Sequence, residues 1–120
     1  MTKKQAVELY AILRELKNGS MSKEGLTSFI LMRLKLKTIF DEFEKTRIEI
    51  SSQTKPEDFK EGDNTEKWDS LFQATMAKWL SENADIDTEV LSQTEYIDLI
   101  HSNDLNGWMQ DTLFENLVIK

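Results

Sequence analysis

Residues 23–51 read KEGLTSFILMRLKLKTIFDEFEKTRIEIS. After Gly25 the stretch holds no glycine and no proline, so nothing in it breaks a helix. As one helix it spans roughly 40–45 Å. Phe29, Leu36, Phe43 and Ile50 recur every seven residues, and Leu26, Arg33, Phe40 and Arg47 form a second seven-residue row. The two rows together make a coiled-coil-like seam. A seam this long exceeds what the short segment before it can cover. The remainder must pack on the C-terminal half or on another chain.

The segment before it is predicted helical from Thr2 to Lys17, with Ala6, Leu9, Tyr10, Leu13 and Leu16 on one face. Asn18-Gly19 ends it, since both residues accept the left-handed conformation. Ser22 is the N-cap of the long helix, and Met21 and Leu26 have the spacing of a hydrophobic staple. Pro56 excludes helical geometry from its predecessor, and residues 52–65 read as a polar linker open to proteolysis, with Phe59 its one apolar anchor. From Glu66 to Glu82, the residues Trp68, Leu71, Phe72, Thr75, Met76, Trp79 and Leu80 trace an amphipathic face. Ser92-Gln93-Thr94-Glu95 is a capping box opening a helix through Ser102. Asn103–Gly107 is a turn, and a last helix runs from Trp108 to Val118, burying Met109, Leu113, Phe114 and Leu117. Val118-Ile119 reads alternatively as a short edge strand. The predicted fold is all-α: an antiparallel helical hairpin with one long helix, packed with a C-terminal group of shorter helices. We read one domain, with a hairpin at 1–51, the linker at 52–65 and an acidic helical half at 66–120.

Composition bounds the chemistry. The 120 residues include no cysteine and a single histidine, which removes disulfides, thiolate metal sites, thiol catalysis and histidine clusters within one chain. No apolar run approaches the ~18 residues of a membrane span. No apolar stretch follows the charged Met1-Thr2-Lys3-Lys4-Gln5, so a secretory signal is not expected and the cytoplasm is the default location. The net charge of −7 is unevenly distributed, with lysine and arginine in excess up to residue 60 and aspartate and glutamate dominant after it. Either the halves attract each other, or the acidic half faces a basic partner or imitates nucleic acid. Direct nucleic-acid binding is not expected from so acidic a chain.

No catalytic constellation emerges. Asp85-Ile86-Asp87-Thr88-Glu89 resembles the start of a calcium loop, but Val90 and Tyr96 stand where glycine and glutamate are needed. Asp41, Glu42 and Glu44 have the spacing of ion pairs with neighbouring lysines. His101 suits the C-terminal dipole of its helix. Neither cofactor, metal nor catalysis is expected. The candidate partner-binding residues are Arg33 and Arg47, which interrupt the apolar seam, together with Phe29, Leu36, Phe43, Trp68 and Trp79. An arginine in such a seam either lays its methylenes on the edge or meets a carboxylate from the acidic half or another subunit. Trp68, Trp79 and Trp108 are expected in the core.

The short first helix, the Met21-Ser22 restart, Arg33-Leu34-Lys35-Leu36 and Phe43-Glu44-Lys45-Thr46-Arg47 on the long helix, and the capped helix after Leu91-Ser92 resemble small helical proteins encoded in bacteriophage genomes. The resemblance implies a phage origin and a role in virion or tail assembly, and it carries no catalytic residues. The sequence therefore points to a non-enzymatic interaction or assembly protein, partnered by another protein or by a second copy of itself. The alternative is a small acidic inhibitor occluding a basic groove. It would need Asp63, Glu66, Asp69, Asp85, Asp87, Glu89, Asp98 and Asp104 on one face.

Overall fold

A computed structural model describes residues 1–19 and 21–120. Five helices follow in order: α1 (Lys3–Leu13), α2 (Lys23–Thr54), α3 (Glu66–Leu80), α4 (Gln93–His101) and α5 (Gly107–Leu117). The fold is all-α, with the long α2 packed against α1 and the shorter helices that follow. Among the described residues, strand-like pairing is limited to two isolated bridges, Thr2 with Asn83 and Leu91 with Val118. The second bridge, in which the Ile119 N–H donates to the Leu91 carbonyl at 2.8 Å, gives the chain end the edge-like character its sequence suggests.

Ser22 and Ser92 cap α2 and α4 as the sequence reading expects, whereas the Thr2 cap of α1 and the Asn106 cap of α5, which starts at Gly107 rather than Trp108, are additional. Thr2 and Gln5 form a reciprocal capping box on α1, and Ser92 and Glu95 form another on α4. The Ser22 hydroxyl accepts from the Gly25 N–H at 3.1 Å, and Asn106 Oδ1 accepts from the Met109 N–H at 2.9 Å. The helix ends differ from expectation. α1 stops at Leu13 rather than Lys17, because the Glu15 and Leu16 amides donate to Ile12 and Leu13 and tighten the chain into a three-residue turn. α2 continues to Thr54, whose buried hydroxyl donates to the Ile50 carbonyl at 2.7 Å. Lys55, immediately before Pro56, is then extended.

The seam of α2 is a stripe, but its register differs from the sequence reading by one residue in one row. Phe29, Leu36 and Ile50 are buried and Phe43 half-buried, as expected. The companion row is led by the buried Gly25 and Met32, followed by Ile39 and Thr46; of the expected row, Leu26 and Phe40 stay half-buried beside it, Arg33 is half-buried and Arg47 is exposed. Both rows alternate three- and four-residue steps with the first. Desolvation decides between them, since the uncharged row can be buried without stranding a guanidinium. The arginines flank the seam.

The molecule has two parts. The body holds one core built from Ala6, Leu9, Ile12 and Leu13 of α1, Phe29, Met32 and Leu36 of α2, and Leu91, Leu99, Leu113 and Leu117 beyond α3. The distal half of α2 and the returning α3 form an arm outside that core, in which Ile50, Thr54 and Met76 are the buried residues. Its shape shows in the numbers: the extents are 57 × 27 × 20 Å and the radius of gyration is 18.0 Å. A compact chain of this length would have a radius of gyration of roughly 14 Å. An aromatic series joins the two parts. Ring centroids are 5.0 Å apart for Tyr10 and Phe40, 6.2 Å for Phe40 and Phe43, and 6.1 Å for Phe43 and Trp79. At the tip, Phe59 meets Trp68 edge-on at 5.1 Å, and the Trp68 indole N–H donates to the Ser51 carbonyl at 2.9 Å. The linker is thus pinned by Phe59.

Glu95 joins α4 to the start of α2. One of its carboxylate oxygens accepts from the Ser92 N–H at 2.9 Å, and the other accepts from the Ser22 hydroxyl at 3.1 Å. Gly25 faces this carboxylate so closely that a methyl group would overlap it, which explains a glycine in the first turn of a long helix. The Ser92 amide holds the Glu95 carboxyl below the usual carboxylate range; burial opposes it, and the hydroxyls of Ser22 and Ser92 add smaller lowering contributions.

A lowered folded pKa stabilises the protein above the unfolded value, near pH 4.3, and that contribution is lost as pH falls through the folded value. Glu95→Gln should therefore be less stable than the parent at neutral pH, and the gap should close on acidification below about pH 4.3, as read from urea midpoints across pH. A second check concerns the register. Leu36 is fully buried and Leu34 is 53% exposed. Leu36→Ala should cost about 2–5 kcal/mol, whereas Leu34→Ala should stay within about 0.5 kcal/mol, both by chemical denaturation.

Candidate functional site

The side chains proposed from sequence fall into two groups. Phe29 and Leu36 are fully buried in the body's own core and present nothing to a partner. Arg33 is half-buried, with its guanidinium 5.4 Å over the Phe29 ring, which matches an arginine lying along the edge of the seam. Arg47 is exposed and pairs within its own helix, with Glu44 at 2.9 Å, rather than reaching the acidic half. The fold brings Phe43 and Trp79 together, with the Lys3 ammonium 4.6 Å over the Trp79 ring. It also brings Arg47 and Trp68 to one shallow hollow near the tip, shared with Ile48, Ser51, Lys55 and Phe72. The first lies where the arm meets the body, and the second near the arm's tip. The seam itself is covered by α1 in the body and α3 in the arm.

The acidic residues are spread along the length of the molecule. Asp63, Glu66 and Asp69 sit where α3 begins, beside Ser51, whereas α4 begins beside Ser22 and Gly25. Those points on α2 are about 39 Å apart at 1.5 Å per residue, so Asp98 and Asp104 belong to the opposite end of the molecule. Among the described residues, one ion pair joins the basic first half to the acidic second, Lys3 with Glu82 at 3.5 Å. The charge asymmetry is not consumed by folding and remains on the surface.

The most developed concavity lies elsewhere, between α1 and the start of α5. It is a cleft of about 700 Å³, within the range of ligand sites. Ala11, Ile12 and Leu16 form one wall, and Leu105, Trp108 and Met109 form the other. Glu8, Glu15, Lys17 and Asp104 share the lining. Trp108 is its most conspicuous feature. Asn106 caps α5; Met109, Leu113 and Leu117 face inward, and Trp108, on the face shared with Asp111, Thr112 and Glu115, is 63% exposed. The expectation that Trp108 is a core residue is corrected on this ground. Phe114 is likewise 38% exposed and packs edge-on against Tyr96, 5.4 Å away. The Tyr96 hydroxyl donates to the Gln110 carbonyl, and burial pushes its pKa up.

One end of the cleft is closed by Asn103. Its side chain accepts from the Lys17 N–H at 2.7 Å and donates to the Lys17 carbonyl and the Leu99 carbonyl at 2.8 Å each. Gly19, at φ +66°, completes this joint, since any side chain there would strike Ser102. Gln110 Nε2 donates to the Leu105 carbonyl at 3.0 Å and fixes the opposite wall. The cleft is therefore largely preformed. The sequence signal that could have found it is the spacing of Trp108, whose i+3, i+4 and i+7 neighbours are Asp111, Thr112 and Glu115 rather than the apolar Met109, Leu113 and Leu117.

Among the described residues, no group of three or more histidines, aspartates or glutamates is placed to hold a metal ion. His101 is exposed in the last turn of α4. No helix is long and apolar enough to cross a membrane. Set against protein-family models, curated proteins and solved structures, the chain finds no match.

Removing the Asn103 clamp should loosen the cleft without unfolding the core. Asn103→Ala should cost about 1–2 kcal/mol, with faster hydrogen exchange at the Lys17 amide and unchanged protection in Phe29–Leu36.

Proposed function

We propose that this protein is a non-catalytic binding module that docks a segment of another protein in the cleft between α1 and α5. The exposure of Trp108 carries the reading. A tryptophan left largely in water beside Met109, Leu105 and Leu16 is an unused apolar surface inside a preformed concavity. Aromatic anchors of this kind dominate binding energy at protein interfaces. The extended shape supports the same reading, since the arm places a second surface far from the first and lets one molecule bridge two others. Assembly of a larger particle, as the likeness to phage-encoded helical proteins implies, is one use of such a bridge. The family and structure comparisons add no support for a phage origin, and the binding reading rests on the cleft.

Photo-crosslinking tests it. A crosslinker placed at Trp108 should trap a discrete protein in the source cell's lysate, and one placed at the exposed Leu71 should not trap it. Trp108→Ser should abolish its capture on immobilised protein, while Leu71→Ser retains it. Identical capture by the two variants would remove the cleft from the function.

A further inference from the structure

The cleft's chemistry also specifies its occupant. We infer that it takes a cationic amphipathic helix, a segment of about two turns whose apolar row enters the cleft and whose lysines or arginines meet its carboxylates. This inference rests on the cleft being a docking site, as proposed above.

Three observations carry it. The first is dimension. Glu8, Ala11 and Ile12 of α1, with Glu15 and Leu16 of the turn that follows it, line one side of the cleft, and Glu8 to Ile12 alone span about 6 Å at helical rise. A helix presenting anchors at i, i+3 or i+4, and i+7 covers about 10.5 Å, enough to run past Ile12 and meet Leu16. Ala11, the smallest side chain in the wall, lets a partner's backbone come close there. The second is the mixture of polarity. Ala11, Ile12, Leu16, Leu105, Trp108 and Met109 give the cleft an apolar lining, and the exposed Glu8, Glu15, Lys17 and Asp104 share it. A helix with an apolar row bordered by charge meets both kinds of group.

The third is the sign of the charge. Among the described residues lining the cleft, Glu8, Glu15 and Asp104 are carboxylates and Lys17 is the cation. Arg14 approaches Glu15 at 3.6 Å, but the pair is solvent-exposed, and such a pair is weak and open to exchange for a partner's cation. The carboxylates of the lining favour a basic segment over an acidic one.

The experiment uses the full chain and two synthetic peptides of about 18 residues, long enough for a helix that fills the cleft. Both have leucines at i, i+4 and i+7. One carries lysine and arginine on the remaining face, and its twin carries glutamate there. Binding is followed by calorimetry and by the NMR shift of the Trp108 indole N–H. The cationic peptide should bind at least about tenfold more tightly than its anionic twin. It should shift the Trp108 indole and the α1 amides, and weaken as sodium chloride rises from about 0.05 to 0.5 M. Trp108→Ala should weaken it at least about tenfold, and Glu8→Lys with Glu15→Lys should remove most of the preference for positive charge.

Equal binding of the two peptides at Trp108 would overturn the inference about charge while leaving the cleft a docking site. Shifts confined to Asp85–Glu89, with Trp108→Ala binding unchanged, would overturn it as diffuse attraction to an acidic chain. Failure of both peptides to move the Trp108 indole would overturn the inference and the binding reading together. A Trp108 shift that depends on protein concentration without peptide would overturn it in favour of a second copy as the occupant.

Discussion

Burial of Phe29, Met32 and Leu36 under Leu9, Ile12 and Leu13 of α1 is the contact from which the rest of the structure follows. Each large apolar side chain removed from water contributes about 1.5–3 kcal/mol, and these six pack as a continuous set. With that face fixed, the rotation of α2 about its own axis is fixed too. Gly25 is then turned toward Glu95, and Phe40 and Phe43 are turned toward Tyr10 and Trp79. The placement of α4 and the departure angle of the arm are thus consequences of one packed row. Leu91, Leu99, Leu113 and Leu117 close the other side of the same core, and they bring α5 near enough to α1 for a cleft to form between them.

The helices were legible because their punctuation is local. Ser22, Ser92 and Pro56 act through hydrogen bonds or sterics within a few residues, so their effect survives any tertiary arrangement. What the sequence left open was phase. In α2, two rows fitted the spacing equally well, and counting residues could not choose between Met32 and Arg33. The cost of desolvating a guanidinium could, and applying it as a rule for register would have placed the arginines outside the seam. In α5, the core expectation for Trp108 set aside its own phase, since it shares a face with Asp111, Thr112 and Glu115 rather than with Met109, Leu113 and Leu117. The cleft was illegible for a further reason, because its walls are separated by the whole of α2, α3 and α4 in the chain and no local pattern joins Ile12 to Trp108.

Charge follows a different logic from packing. Four of the five ion pairs among the described residues close within one half of the chain: Arg14 with Glu15, Lys37 with Asp41, Arg47 with Glu44 and Lys120 with Glu89. They are surface pairs worth little to stability. The Asp41 carboxylate raises the Lys37 pKa through a 2.8 Å hydrogen bond, which is a local effect. Folding is therefore driven by apolar burial, and the acidity of the second half remains free to act on whatever approaches.

The arm has a consequence of its own. Ile50, Thr54 and Met76 are the buried residues along two facing helices, and none of them belongs to the central core. The turn between those helices, residues 55–65, is anchored by Phe59 and otherwise surrounded by solvent. Extra chain inserted at Gly62, where a side chain would meet nothing within 4 Å, leaves every core contact intact. That end of the molecule is accordingly where its length can change most freely, whether by natural insertion or by grafting a reporter, while the opposite end keeps its shape.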